Sequence, residues 1–292
     1  MNVELLFDAC AELGEVPAWD AHTQTLYWVD VLAKRIYTGV ELLAQLDDYV
    51  GCVAPRKDGR LILTQSACIA ELDPDDLSQG QPAAAKPTVR AAVSEPANNR
   101  FNDGKCDPAG RFLAGTMDKN EKDASGALYS YDGGAVTKLL TGIRISNGLT
   151  WSPDYKTFYY IDTPTRNVKA FDYDLASGQI VDPRIVVHVP ESLGWPDGMT
   201  SDTDGNLWIA LWDGAQVTKW SPNTGRLLEQ IPIPALQSSS CVFGGRHMNE
   251  LYVTSARVGL SEADLTKYPL SGGLFKVTTK VTGMPTFEFS GM

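Results

Sequence analysis

Histidine and cysteine are scarce in this sequence, and neither is arranged as a metal or disulfide site. The three histidines are far apart, and no HExxH pattern occurs. The five cysteines are odd in number and widely spaced, without a CxxC pair. These spacings exclude the common zinc-hydrolase motif and argue against a disulfide framework. We expect reduced thiols that fill space in the core of a cytoplasmic protein.

The sequence also lacks runs of basic residues and long apolar segments. Its 292 residues contain 25 Lys and Arg against 36 Asp and Glu, a net charge of −11. A nucleic-acid-binding surface needs clustered positive charge, so no nucleic acid is expected as a partner. No apolar stretch reaches the roughly 18 residues of a membrane span, and the first residues do not resemble a signal peptide. We therefore expect a cytoplasmic protein with no membrane partner.

Six short apolar segments recur along the chain and predict its fold. They begin 35 to 51 residues apart, and most follow a turn sequence such as Asp204-Gly205. The segments are Leu26–Asp30, Leu61–Gln65, Phe112–Thr116, Phe158–Asp162, Leu207–Leu211 and Leu251–Ser255. Repeats of roughly 40 to 50 residues, each with several antiparallel strands, are typical of a β-propeller with one blade per repeat. The sequence therefore predicts an all-β, six-bladed β-propeller.

The alternative architecture is a pair of β-sandwiches, which would need a flexible linker near the middle of the chain. The Pro- and Gly-rich stretch Ser78–Pro87 lies too early for that role. We interpret it as a long surface loop inside the second blade. Residues 1–292 are therefore expected to form a single propeller domain, as a monomer or a weak dimer.

Positions ten or eleven residues before each recurring segment are expected to meet at the centre of the propeller, because equivalent positions of the blades face one channel. These positions are Glu15, Gly51, Asn102, Asn147, Asp197 and Cys241. Four of the six carry a carboxylate or an amide, and a set of oxygen ligands suits Ca²⁺, Mg²⁺ or Mn²⁺. The alternative is that Asn147 and Asp197, which both precede a glycine, are ordinary turn residues.

Motifs around these positions resemble a known family. The motifs are Leu13–Trp19, Asn99–Lys105, Ala114–Met117, Ile145–Leu149 and Trp195–Met199. In this order, within a likeness that runs from about residue 13 to residue 277, they resemble the senescence marker protein-30 (regucalcin), gluconolactonase and luciferin-regenerating enzyme family. The resemblance implies a six-bladed propeller with one divalent metal ion in its channel and sugar-lactone hydrolysis as the usual activity.

The same resemblance implies how the metal is held. Glu15, Asn147 and Asp197 match the metal ligands of the family, and Asp197 also matches its general base. Ca²⁺ is the expected ion, with Mg²⁺, Mn²⁺, Zn²⁺ and Fe²⁺ as alternatives. Val16 stands where the family commonly has a small residue, which leaves the neighbouring ligand in place.

The resemblance also implies the residues that contact the substrate. Arg100 and Asn102 match the residues that hold substrate oxygens. The family has an acidic substrate contact shortly after its Gly-Thr-Met motif, and in the loop 118–123 we assign that role to Glu121. Asp103 and Lys105, which follow in the same motif, are expected to form a simple turn.

Most of the tryptophans are expected to be core residues rather than ligand contacts. They recur beside the predicted strands, where an aromatic ring packs between blades. The expected core set is Trp19, Trp28, Trp151, Trp208, Trp212 and Trp220. Trp195 directly precedes Pro196-Asp197, and we place it near the channel.

The function expected from this pattern is a metal-dependent lactonase that opens the ester ring of sugar lactones such as gluconolactone. Two alternatives remain: a calcium-binding regulatory protein without catalysis, and a hydrolase of organophosphate esters. Arg100 and Asn102 beside the metal positions favour an enzyme, because binding an ion does not require them. A serine nucleophile is not expected, since no GxSxG sequence is present.

Overall fold

The structure is a computed structural model that describes residues 2–77 and 85–291. Each of the six recurring apolar segments lies within a β-strand, and these strands belong to six four-stranded antiparallel sheets. The predicted all-β, six-bladed β-propeller is thus confirmed. Residues 78–84 of the expected surface loop lie outside the described residues, and Ala85 packs into the core beside blades one and two.

Each blade consists of four strands that follow one another from the channel outwards. Blade one contains β2 Gly14–Asp20, β3 Thr25–Asp30, β4 Arg35–Thr38 and β5 Glu41–Gln45. Blade two contains β6 Val50–Pro55, β7 Leu61–Gln65, β8 Cys68–Leu72 and β9 Thr88–Ala92. Blade three contains β10 Asn99–Cys106, β11 Phe112–Asp118, β12 Gly126–Tyr131 and β13 Val136–Ile143. The recurring segments are therefore the second strand of each blade, because an innermost strand precedes each of them.

The remaining blades repeat this order. Blade four contains β14 Ser146–Trp151, β15 Thr157–Asp162, β16 Asn167–Tyr173 and β17 Ile180–His188. Blade five contains β18 Trp195–Ser201, β19 Leu207–Trp212, β20 Gln216–Ser221 and β21 Arg226–Pro232. Blade six contains β22 Gln237–Gly244, β23 Glu250–Ala256 and β24 Leu274–Thr278, with β1 Val3–Phe7 as its outer strand. The first strand of the chain thus closes the ring against the last, so no blade is left with an open interface.

Within residues 2–77 and 85–291, short helices occur in four of the connections between strands. They are α1 Glu262–Lys267 and the 3₁₀ turns Pro74–Asp76, Thr163–Thr165 and Glu191–Leu193. Ser261 caps α1 by accepting from the backbone N–H of Asp264, whose carboxylate bonds back to Ser261. None of the helices in residues 2–77 and 85–291 has the length and apolar character that a membrane crossing requires.

Apolar side chains between neighbouring blades form the core. Trp28 and Trp208, at 1% and 0% exposure, are among the largest buried side chains. Five of the six tryptophans expected in the core are buried, but Trp212 is only partly buried and borders the channel mouth. All five cysteines are free thiols, of which Cys52, Cys106 and Cys241 are buried and Cys10 is exposed.

Every innermost strand contains a β-bulge at the same level of the channel. The shifts in register fall between Glu15 and Ala18, Val50 and Val53, Phe101 and Gly104, Asn147 and Leu149, Pro196 and Met199, and Ser238 and Ser240. A bulge adds a residue that has no partner across the ladder and turns its side chain away from the usual alternation. Bulges at one level can therefore turn side chains of neighbouring blades towards the axis.

Two glycines allow the innermost strands to approach each other at this level. A Cβ atom at Gly148 would lie 2.6 Å from the carbonyl oxygen of Asp197, and one at Gly198 would overlap the side chain of Ser240. The pairs Asn147-Gly148 and Asp197-Gly198 lie inside β14 and β18. The alternative interpretation of these pairs as ordinary turns is therefore wrong, because their glycines serve close strand packing.

The C-terminal segment 281–291 crosses the end of the channel where the innermost strands finish. The backbone N–H of Met284 bonds to Ser201 of blade five, the hydroxyl of Thr286 to Trp19 of blade one, and the backbone N–H of Phe289 to Pro55 of blade two. Phe289 is buried and stacks on Tyr131 of blade three. This end of the channel is consequently covered, and the opposite end carries the larger cavity.

Candidate functional site

A cavity of about 620 Å³ opens at the end of the channel where the innermost strands begin. All six residues that the sequence analysis assigned to the site border it, namely Glu15, Arg100, Asn102, Glu121, Asn147 and Asp197. Five of them belong to innermost strands of four different blades, and Glu121 belongs to a loop of blade three. The fold thus brings together residues that are up to 182 positions apart in the sequence (Glu15 to Asp197).

The strand register explains why these residues meet. Gly14, Ser146 and Pro196 each pair with the fifth residue of a recurring segment, at Asp30, Asp162 and Leu211. The residue that follows each of them enters the bulge, and these residues are Glu15, Asn147 and Asp197. By the same register, Gly51 and Asn102 occupy this level in blades two and three.

Blade six differs from the prediction at this level. Ser238 pairs with Ser255, the fifth residue of its segment, so that Ser239 occupies the position predicted for Cys241. Cys241 pairs with Val253 two residues further along and packs against Trp208. Its inner strand is joined to the recurring segment by a longer connection, with seven residues between the paired Phe243 and Leu251 against five or six at the same place in the other blades. Counting ten residues back from the segment therefore reaches only Cys241.

Aspartates at the ends of two second strands anchor the entrances of β2 and β14. The carboxylate of Asp30 accepts from the backbone N–H of Leu13 at 3.0 Å, and Asp162 accepts from Ile145 at 3.0 Å. Leu13 and Ile145 stand two residues before Glu15 and Asn147. The same device therefore holds the chain directly before both candidate ligands.

Arg100, Asn102 and Asn147 are joined by hydrogen bonds across blades three and four. The Nη1 group of Arg100 donates to Oδ1 of Asn102 at 2.6 Å, and Nδ2 of Asn102 donates to Oδ1 of Asn147 at 2.9 Å. All three residues are at most 7% exposed. The guanidinium still has further N–H groups that can face a ligand in the cavity.

Glu15 and Asp197 are buried carboxylates without a cationic partner. Neither takes part in any ion pair among the residues that the structure describes. Burial and the nearby Asp103 raise the pKa of Glu15 to about 8. Burial, followed by repulsion from Glu15, raises the pKa of Asp197 well above its usual range. The two groups repel each other, and each is costly to ionise in the absence of a counter-charge.

Asp103 and Lys105 lie deeper in the channel, inside β10 rather than in the simple turn that was expected. Burial raises the pKa of Asp103 to about 6, although Lys105 opposes the shift. Burial also lowers the pKa of Lys105, whose Nζ donates to the carbonyl oxygen of Met199 at 2.8 Å. These residues support the floor of the site and do not border the larger cavity.

The loop that carries Glu121 is held from two sides. Burial lowers the pKa of the Arg100 guanidinium, and the nearby carboxylate of Glu121 opposes that shift. The Nε group of Arg144 donates to the carbonyl oxygen of Glu121 at 2.9 Å. The backbone of Glu121 is left-handed, with φ 58°, a conformation that residues other than glycine adopt rarely. The loop thus presents an acidic group at the cavity rim.

The residues of this cavity fit a hard divalent cation. In residues 2–77 and 85–291, no cluster of three His, Cys, Asp or Glu side chains has the arrangement of a metal site. A cation here would therefore need the amide oxygen of Asn147 beside the carboxylates of Glu15 and Asp197. Oxygen donors of this kind suit Ca²⁺, Mg²⁺ or Mn²⁺, and the unpaired carboxylates supply the negative charge that such an ion needs.

Several residues of the cavity were not found by the sequence analysis. They are Tyr49, Lys119, Arg144, Thr163, Trp212 and Asp213. Trp195 was expected near the channel, and it does border the cavity at 37% exposure. Met117, Thr163 and Trp212 are each the sixth residue counted from the start of a recurring segment. The same counting that found the ring could therefore have found these three residues.

The fold and the cavity define a class of protein: a six-bladed β-propeller with a cavity lined by charged and amide side chains at one end of its channel. The family described as SMP-30/Gluconolactonase/LRE-like region matches residues 13–257, and the chain belongs to this family. Its relatives include regucalcin of Danio rerio, 37% identical over 300 residues that cover 100% of this chain and 99% of the relative. Regucalcin of Homo sapiens is 37% identical over 304 residues, with 100% and 99% coverage.

Solved structures show the same relationship. A luciferin-regenerating enzyme superposes with a TM-score of 0.89 and 33% identity, covering 99% of both chains. A protein of Agrobacterium tumefaciens described as a calcium-binding protein, regucalcin, superposes with a TM-score of 0.90 and 25% identity, covering 98% of this chain and 96% of that one. The resemblance noted from the motifs is thus confirmed at the level of the family.

Proposed function

We propose that this protein is a divalent-metal-dependent hydrolase that opens the ester ring of sugar lactones, such as gluconolactone, to the aldonic acid. The observation that carries the proposal is the pair of buried, unpaired carboxylates, Glu15 and Asp197, in one cavity with Arg100. Its volume of about 620 Å³ lies within the range of small-molecule sites. Gluconolactonase in the name of the family supports this class of reaction.

Glu15, Asn147 and Asp197 are the proposed ligands of the metal. Bound there, a divalent cation would polarise the lactone carbonyl and lower the pKa of a water molecule. Its charge would also favour the ionised form of both carboxylates, which otherwise repel each other. Asn147 contributes a neutral oxygen, so the ligand set carries a charge of −2 and matches a divalent ion. Ca²⁺ is the ion that we propose, in line with the name of the Agrobacterium tumefaciens protein.

Asp197 is the proposed general base. When a water oxygen attacks the carbonyl carbon, one proton of that water passes to the Asp197 carboxylate. The bond between the carbonyl carbon and the ring oxygen then breaks, and the proton passes from Asp197 to the departing ring oxygen. The carboxylate is thus restored at the end of the cycle, and the product is the open hydroxy acid.

Arg100, Asn102 and Glu121 are the proposed substrate contacts. The guanidinium of Arg100 can donate to the lactone oxygens, while the carboxylate of Glu121 can accept from sugar hydroxyls at the rim. Asn102 already holds both Arg100 and Asn147, so it fixes the position of the guanidinium relative to the metal site. The substrate would therefore be oriented by donors on one side and acceptors on the other.

Metal-stripped protein tests the proposal. It should not hydrolyse gluconolactone, galactonolactone or pentonolactones, and one of Ca²⁺, Mg²⁺, Mn²⁺, Zn²⁺ or Fe²⁺ should restore turnover, measured as acid release at constant pH. Turnover that a chelator leaves unchanged would overturn the metal-dependent mechanism. A fluorophosphate assayed in parallel separates a lactonase from an organophosphate hydrolase.

A second function has support from one observation, the description of the Agrobacterium tumefaciens relative as a calcium-binding protein. In that case calorimetry should show Ca²⁺ binding to the wild type, while no lactone is turned over with any cation. The buried guanidinium of Arg100 in the cavity favours the enzyme, since an ion site gains nothing from a nearby positive charge.

A further inference from the structure

An unbroken chain of hydrogen bonds runs across three blades at the level of the site. It starts at Arg100, passes through the carboxamides of Asn102 and Asn147, and continues through the hydroxyl of Thr163. Nδ2 of Asn147 donates to Oγ1 of Thr163 at 2.7 Å, and that hydroxyl donates to the carbonyl oxygen of Pro196 at 2.8 Å. Pro196 directly precedes Asp197. The chain therefore ends on the backbone of the proposed base.

The two ends of this chain determine the direction of every bond in it. A guanidinium can only donate, and a carbonyl oxygen can only accept. Because the hydroxyl of Thr163 gives its proton to Pro196, it can take part with Asn147 only as an acceptor. Asn147 must therefore turn its NH₂ group to Thr163 and its Oδ1 atom away from it. The same reasoning from Arg100 fixes the carboxamide of Asn102.

Burial makes this arrangement hard to replace by water. Asn147 is 4% exposed, and Thr163 is 9% exposed. Thr163 begins the 3₁₀ turn after β15, and its backbone N–H bonds to the carbonyl oxygen of Ile145 at 3.2 Å. Its backbone and hydroxyl thus connect it to blades four and five at once, and its rotamer is held by the groups on both sides.

We propose that Thr163 is a positioning residue that orients the carboxamide of Asn147, so that Oδ1 rather than the NH₂ group is offered to a cation. This inference rests on the proposed function, in which Asn147 is a metal ligand. In the opposite orientation, the NH₂ group would approach the cation and the ligand would be lost. The hydroxyl of Thr163 therefore acts on metal affinity without touching the metal.

The first test compares two Thr→Val variants by the affinity for Ca²⁺, measured by calorimetry on metal-stripped protein. Thr163→Val removes the acceptor and should weaken Ca²⁺ binding by about 10- to 100-fold, the usual effect of losing a group that orients a ligand. Thr218→Val is the matched control. Its buried hydroxyl also accepts from a side-chain N–H, that of Trp220, and donates to a carbonyl oxygen, that of Ile209. It lies away from the cavity and should leave Ca²⁺ affinity unchanged.

A second test shows whether Thr163 acts through Asn147. Asn147→Asp offers an oxygen in either orientation of its end group, so orientation no longer matters there. In this background Thr163→Val should not lower Ca²⁺ affinity, whereas it lowers it in the wild type. Thr163→Ser keeps the hydroxyl and should bind Ca²⁺ nearly as well as the wild type. Thermal melts of the stripped variants show whether each one is folded.

The outcomes separate this inference from the proposed function. If the wild type binds none of the divalent cations, the proposed metal site fails, and the role of Thr163 fails with it. If the wild type binds Ca²⁺ and folded Thr163→Val binds it equally well, only the role of Thr163 is overturned. Equal losses from Thr163→Val in the wild-type and Asn147→Asp backgrounds would also overturn it, because the effect would then not pass through the carboxamide.

Discussion

Two groups of buried carboxylates in this protein differ in the partners that surround them. Asp107 and Asp202 lie in the turns after β10 and β18, and both are completely buried. The carboxylate of Asp107 contacts Arg111 at 2.6 Å and the hydroxyl of Tyr173 at 2.6 Å. That of Asp202 contacts Lys219 at 2.8 Å and accepts from the indole of Trp208 at 3.0 Å. In both turns the negative charge is matched within the fold.

Glu15 and Asp197, in the channel, are nearly as buried, at 5% exposure each, but have no such partners. Glu15 accepts from the backbone N–H of Val16 at 3.1 Å, and Arg100 acts on it only through space. The fold surrounds the two turn carboxylates with partners, whereas the two channel carboxylates have no counter-charge among the described residues. A buried charge is costly without a partner, so we expect a group from outside the chain to balance it. A missing counter-charge does not by itself mark a functional carboxylate, since Asp30 is also buried without one but accepts from the backbone N–H groups of Glu12, Leu13 and Ala33. The contrast that supports our proposal is burial with neither a counter-charge nor such a set of donors.

Asp197→Asn should have the largest effect, because it removes one of the unpaired charges at the reacting centre. Asparagine can still offer an oxygen to a cation but cannot accept a proton, so kcat should fall by about 10²- to 10⁴-fold. Excess metal should refill the site without restoring the rate. Initial rates against metal concentration check this. Recovery of most of the activity at saturating metal would contradict the role of Asp197 as a base and leave it as a ligand only.

Asp213→Asn is the matched control for that variant. Asp213 borders the same cavity, and its left-handed backbone, with φ 58°, also suits asparagine. This variant should stay close to the wild type in kcat.

Opposite changes in stability should follow from neutralising one member of each group. Asp202→Asn leaves Lys219 without its buried partner and should lower the free energy of unfolding by about 3–5 kcal/mol. Near neutral pH, Glu15 must take up a proton on folding because burial raises its pKa to about 8, and Glu15→Gln removes that cost and should stabilise the metal-free protein. Urea unfolding of both stripped variants measures the two signs. A loss of stability in both variants would show that the turn carboxylates and the channel carboxylates do not differ in how well their charge is balanced.

Arg100→Ala should weaken substrate binding more than it slows the chemical step. Loss of a charged hydrogen bond is worth about 1.5–3 kcal/mol, so KM for a lactone should rise by roughly 10- to 100-fold. Lys119→Ala removes the same charge from the exposed rim of the cavity, where no side-chain hydrogen bond holds it among the described residues. An equal rise in KM for both variants would indicate long-range attraction instead of contact.

A further effect concerns the pH dependence of stability in the metal-free protein. The pKa of Glu15 is raised from 4.5 to about 8, so its proton is held more tightly in the folded state than in the unfolded state. Its stabilising contribution is complete below about pH 4.5 and is lost as the pH rises through about 8. Melting temperatures of stripped protein should therefore fall over this range.

Saturating Ca²⁺ should flatten that fall, because the cation replaces the proton as the counter-charge of the site. Glu15→Gln should reduce the slope without any metal. The raised pKa of Asp197 contributes in the same direction, so part of the slope should remain in the variant. A wild-type stability that rises with pH would contradict the pKa shift of Glu15.

The propeller and most of its site could be predicted from the sequence because both follow from counting along repeats. The second strand of each blade is a buried apolar segment with a turn before it, and such local patterns determine strands directly. Glu15, Asn102, Asn147 and Asp197 fall ten or eleven residues before these strands, since each inner strand and its turn have nearly constant length. Because the blades repeat around one axis, residues at the same place in each repeat come together around the channel.

Tertiary structure decided the features that depend on how blades meet. The longer connection between β22 and β23 puts Ser239 at the level predicted for Cys241, and the glycines thought to allow turns instead allow strands to approach. Trp212 borders the cavity although it resembles the core tryptophans in sequence. Asn147 donates to Thr163, whose own proton goes to the carbonyl oxygen of Pro196 in the next blade, so the direction of these bonds follows from contact between blades four and five. The sequence by itself determined how many blades the protein has and which carboxylate and amide side chains lie at one level of its channel. Whether the buried carboxylates have counter-charges was decided by how the blades pack around one axis. Charge balance depends on distances between groups in space, and these distances cannot be read from spacing along the chain.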